Sequence, residues 1–154
     1  MTFEEAVKRT SGLQQAYQPG LQALGSYSTK VDCEDRRRLS GSVNLEEALV
    51  SSYPQESLWD YGIGFRRTHS EEAIWIEVHS AASTHVDTVL KKLRWLKKWL
   101  KNQALQLNKL TRGFYWLATD GSVNITKALE FIISKFDVDS SIPARKKKSP
   151  LRQQ

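Results

Sequence analysis

The sequence predicts a small α/β fold, a central mixed sheet flanked by helices, and two observations carry that prediction. Leu58–Arg67 and Ala73–Ala81 alternate apolar and polar residues with a period of two, and a short polar turn separates them. From Val86 the period changes to 3.6, and a further aromatic-rich run follows at Phe114–Thr119. Strands that alternate with helices bury their apolar faces by stacking into layers. The 154 residues, 40% hydrophobic and 26% charged, suit a single α/β domain over residues 1–142, with a flexible basic tail at 143–154.

The elements follow in order. Thr2-Phe3-Glu4-Glu5 has the form of a capping box that opens a helix running to about Tyr17, where Pro19-Gly20 stops it. Leu21–Asp35 is mixed and unassigned, and Arg36–Ser40 reads as either a short edge strand or an exposed loop. Asn44-Leu45-Glu46-Glu47 is a second capping box, starting a short helix that ends before Pro54. The two central strands then form a hairpin through Thr68–Glu72. Val86, Val89, Leu90, Leu93, Leu96 and Leu100 form the apolar stripe of a long helix, with Lys91, Lys92, Arg94, Lys97, Lys98 and Lys101 on its other side. Gly113 and Asp120-Gly121 bound the third strand, and Ser122 or Asn124 caps a last helix that buries Ile125, Leu129, Ile132, Ile133 and Phe136.

Several function classes drop out. No apolar run reaches the ~20 residues of a membrane span. The start lacks the features of a signal peptide, so a cytoplasmic protein is expected. One cysteine, Cys33, permits neither an internal disulfide nor a multi-cysteine metal site. Glycine-rich phosphate loops, Ser/His/Asp nucleophile arrangements and HExxH zinc motifs are missing. The net charge of +6 sits mostly in the tail, where Arg145, Lys146, Lys147, Lys148 and Arg152 lie within ten residues. That tail is either an electrostatic arm for phosphates or a solubilising terminus.

Face-by-face reading of the hairpin gives a candidate site. Tyr61, Ile63 and Phe65 form one apolar set, and Ile74, Ile76 and Val78 form another. If these share a face, Asp60, Gly62 and Gly64 share the opposite one with Trp75, Glu77 and His79. The glycines are expected to leave that face open for a ligand or another backbone. Two carboxylates and an imidazole then converge, and oxygen donors of this kind suit Mg²⁺ or Mn²⁺, with the imidazole also admitting Zn²⁺. The plainer reading is a carboxylate that hydrogen-bonds His79 in a wet groove. His85 and Asp87 begin the long helix, where a structural role is expected.

Asp60 at a strand start, Glu77-Val78-His79 in the next strand and a basic helix after it resemble the PD-(D/E)XK pattern of the restriction-endonuclease-like superfamily. Gly41–Leu45, Trp59–Gly64 and Glu77–His79 also resemble a small prokaryotic group of proteins. The likeness covers roughly residues 44–136 and leaves residues 1–43 without a role. It implies a restriction-endonuclease-like order of helix, strands, helix, strand, and metal-dependent hydrolysis of nucleic-acid phosphodiesters. Asp60 and Glu77 would hold Mg²⁺ or Mn²⁺, and His79 would stand where the superfamily has lysine. Lys91 or Lys92 of the following helix would compensate for that change, and Glu46 or Glu47 would match an acid of the early helix or serve only as a cap. Trp59 replaces the proline before Asp60, a position with no chemistry. The alternative is a catalytically inactive protein of the same fold that binds nucleic acid or protein. Nucleic acid would meet the basic helix and tail, although a solvated helix face is the simpler account of those lysines. Trp95 and Trp99 are expected to pack internally or to form a homo-oligomer contact rather than to stack on bases.

Overall fold

A computed structural model describes residues 1–80, 85–119 and 123–124. Helix α1 spans Phe3–Lys8, and both bonds of its capping box form: the Thr2 hydroxyl accepts from the Glu5 N–H, and the Glu5 carboxylate accepts from the Thr2 N–H. It ends well before Tyr17 because Gly12 turns the chain at φ +91°, so Thr10-Ser11-Gly12 is the stop. The unassigned segment becomes a kinked 3₁₀ stretch, Gln22–Lys30, and a 3₁₀ turn at Arg36–Arg38 leads directly into a strand.

Five strands form the main sheet: β1 (Gln18–Pro19), β3 (Leu39–Asn44), β4 (Tyr61–Arg66), β5 (Glu71–His79) and β6 (Thr111–Ala118). They lie in the order β1-β3-β4-β5-β6, antiparallel except for the parallel pair β5/β6. That parallel step needs a crossover, supplied by α3 (Val86–Gln103) and the short α4 (Leu105–Leu110). The connection from α3 to the third strand is therefore partly helical, and that strand begins three residues earlier than its aromatic run. Helix α2 (Leu45–Leu49) leaves β3 directly, with Asn44 Oδ1 accepting from the Glu47 N–H at 2.9 Å. Two further short strands, β2 (Val31–Asp32) and β7 (Val123–Asn124), pair in parallel. Asn124 thus belongs to a strand, while the last helix and the tail lie outside the described residues.

Register pairs Tyr61 with Ile76, Gly62 with Trp75 and Ile63 with Ile74, so the apolar sets do share a face. The 3₁₀ stretch packs over this face: Tyr27 meets Tyr61 at 6.4 Å between ring centroids, and Ser42 Oγ accepts from the Ala23 N–H. The opposite face carries Trp75 and Glu77 and is covered by α1 and α3. Phe3 of α1 closes over Gly64, and Lys92 of α3 reaches Glu77.

The glycines therefore do not open the site. A Cβ on Gly62 would collide with the Trp75 ring, and one on Gly64 would collide with Ser40 Oγ and Phe3. Both are glycine because a rigid neighbour approaches the strand closely, the other reason for which strands tolerate glycine. No helix among the described residues is long and apolar enough to cross a membrane.

Candidate active site

The site lies where β4 begins and β5 ends. Extending the register by one pair sets Asp60 opposite Glu77, and two hydrogen bonds lock them in a reciprocal clasp. The Asp60 N–H donates to Glu77 Oε1 at 3.2 Å, and the Val78 N–H donates to Asp60 Oδ2 at 2.9 Å. The Asp60 carbonyl accepts from the Leu45 N–H at 2.8 Å, which anchors the start of α2 beside the carboxylates. Asp60 is half-buried and Glu77 is fully buried.

Lys92 completes the group. Its Nζ lies 2.6 Å from Glu77 Oε2, with the lysine side chain only 17% exposed. Lys91, one of the two lysines expected to compensate for His79, instead projects from the exposed side of α3. The correction is one of helical phase. A step of one residue turns the helix by about 100°, so only one of two adjacent lysines can face the sheet. His79 remains near the carboxylates, with Nδ1 3.5 Å from Glu77 Oε2, and its ring meets that of His85 edge to face at 4.7 Å. His85 thus does approach the patch, and its Nδ1 is buried without a hydrogen-bond partner.

Electrostatics follow from burial. Desolvation, then the neighbouring charge of Asp60, pushes Glu77 up to about 8 despite the bond from Lys92. Burial also raises Asp60, with the nearby charge of Glu46 adding to it. Burial presses Lys92 down, but the hydrogen bond and charge of Glu77 outweigh it and hold the ammonium above its ordinary range. Burial lowers His79, helped by the charges of Lys92 and His85, so the imidazole is neutral at neutral pH. Of the two early-helix acids, Glu46 is the one whose charge reaches both Asp60 and Lys92.

These shifts give a pH dependence with a definite sign. The folded state holds the Glu77 proton more tightly than the unfolded chain, whose value is near 4.5. The associated stabilisation is complete below about 4.5 and is lost as pH rises through about 8. In chelator, the melting temperature of the parent should therefore fall relative to that of Glu77→Gln between pH 5 and pH 9. Parallel curves for the two proteins would contradict a raised Glu77.

Among the described residues, no three His, Cys, Asp or Glu side chains converge as a ready metal cage. The two carboxylates are of the donor type that a hard cation takes. Mg²⁺ typically uses one or two carboxylates, keeps several waters and is completed by substrate phosphate, and Asp60 and Glu77 are two clasped carboxylates of that type. No family model, curated protein or solved structure matches this chain.

Proposed function

We propose that this protein is a metal-dependent nuclease-like enzyme that hydrolyses phosphodiester bonds, with Asp60, Glu77, Lys92 and His79 as its site. The observation that carries this reading is the 2.6 Å contact from Lys92 to Glu77, beside the Asp60 clasp. It places a cation against the second carboxylate, although the strand position that would hold lysine in the PD-(D/E)XK pattern is occupied by His79. Over the span of the resemblance the elements run α2, then β4 and β5, then α3 and α4, then β6, which supports the order of helix, strands, helix, strand that it implies.

In this reading Asp60 and Glu77 would hold the divalent ion, which when bound polarises the phosphoryl oxygen and acidifies water. Asp60, the more exposed acid, faces the substrate, while buried Glu77 keeps Lys92 in place. The Lys92 ammonium favours the negative charge that develops on the phosphorus oxygens. Neutral His79 takes the water proton at the ring nitrogen turned away from Glu77.

The test is cleavage of single- and double-stranded DNA and RNA with Mg²⁺ or Mn²⁺, against a chelator control. Metal-dependent cleavage is expected, with Asp60→Asn lowering the rate by at least about a hundredfold. Nucleic-acid binding without cleavage under any metal would instead favour the inactive binding module. Residual Asp60→Asn activity equal to the parent's would remove Asp60 from the site.

A further inference from the structure

The loop after α2 packs on α3 and lines an open cavity of about 230 Å³. Its walls include Tyr53, Trp95 and Trp99. The two indoles lie nearly parallel, 12° apart with centroids at 5.9 Å, and Tyr53 meets Trp95 edge-on at 5.3 Å. Trp99 is 4% exposed and forms the back, whereas Trp95 and Tyr53 are half-buried at the mouth. Glu56 and Asn102 add an acceptor and an amide to the rim.

One edge of this cavity is a line of positive charge. Lys91, Arg94, Lys98 and Lys101 are all exposed on α3, at helical spacings of three and four residues. Among the described residues none of the four has a carboxylate within ion-pair distance, unlike Lys92. Trp95 lies four residues after Lys91 and three before Lys98, so it borders that line directly.

We infer that the Tyr53–Trp95–Trp99 cavity receives one unpaired base of a single-stranded nucleic acid whose phosphates follow Lys91, Lys98 and their neighbours along α3. Unmatched cations call for a polyanion, and a second copy of the chain would bring the same charges against them. Stacking on Trp95 needs a base with a free face, which a single strand offers and a duplex withholds. Glu56 and Asn102 suit the donor and acceptor groups of a base edge. The inference takes its nucleic-acid partner from the nuclease reading but uses none of its chemistry.

The experiment is anisotropy of fluorescein-labelled oligonucleotides of about 12 nucleotides, as DNA, as RNA and as the matching duplex, in chelator and low salt. Either single strand should bind at least about tenfold tighter than the duplex and quench tryptophan fluorescence. Trp95→Ala should weaken single-strand binding about tenfold or more, and Trp95→Phe, which keeps a ring, by less than about threefold. The double change Lys91→Ala with Lys98→Ala should flatten the salt dependence. Equal binding of duplex and single strand, absence of quenching in the parent, or self-association through Trp95 without oligonucleotide binding would each overturn the inference. Binding as described without cleavage after Mg²⁺ is added would remove the nuclease reading alone. Cleavage with binding indifferent to Trp95 would remove this inference alone.

Discussion

Replacing Lys92 with methionine is expected to destabilise the metal-free protein by about 1.4 kcal/mol more at pH 9 than at pH 5, the most that ionisation of a Glu77 titrating near 8 can add. Glu77 is 0% exposed, and its Oε2 has Lys92 Nζ at 2.6 Å. Methionine fills similar space but leaves the carboxylate buried and unmatched, the situation in which removing one partner of a buried pair costs most. Protonation relieves it. Glu77 already titrates near 8 with the lysine present, so at pH 5 the acid is neutral in both proteins and the difference collapses. For a chain of this length, that extra loss at pH 9 corresponds to roughly 3–6 °C in melting temperature. Denaturant melts of the two proteins at both pH values measure it, and a difference independent of pH would mean that Lys92 acts through packing alone.

Gly62→Ala should cost about 2–3 kcal/mol, although it adds one methyl group. The methyl would enter the space of the Trp75 ring, and neither side can yield easily. Gly62 lies in a strand paired on both sides, and Trp75 is fully buried with its Nε1–H donating to Thr111 Oγ1 at 2.9 Å. Trimming the ring should return much of the loss. In Gly62→Ala with Trp75→Phe, the combined effect should fall short of the sum of the single changes by more than about 1 kcal/mol. Strict additivity would show that the collision is relieved elsewhere.

These two positions also show where the sequence was legible and where it was not. Alternation placed Asp60 on one face with Glu77 because a one-residue slip would bury carboxylates among isoleucines, an error too costly for the fold to make, while the register itself sets the two opposite each other. The capping box at Thr2, the N-cap at Asn44 and the start of α3 at Val86 were equally readable, each set by a local hydrogen bond or by a long periodic stripe. Gly62 and Gly64 misled because a glycine that admits a ligand and one that admits a tryptophan look identical in one dimension. Only the pairing partner distinguishes them, and Trp75 stands in plain sight at the position opposite Gly62. Lys91 and Lys92 differ by one step of helical phase, which the apolar stripe fixes too coarsely. Tyr53 carried no signal at all, since its meeting with Trp95 depends on how a loop folds back on α3.

The short parallel pair of β2 and β7 has a consequence for how the chain assembles. The β4/β5 hairpin closes through a tight turn, with Arg66 beside Glu71, and loses little chain entropy in doing so. Joining Val31 to Val123 requires nearly the whole of the intervening sheet and its helical crossover to be in place first. With only two residue pairs to hold it, that bridge should be the last contact to close and the first to open, which amide hydrogen exchange would measure. The Arg36–Arg38 turn that follows β2 does not share that looseness, because Arg38 donates to the Arg66 carbonyl and Arg66 donates to the Arg37 carbonyl, which tie the turn to β4.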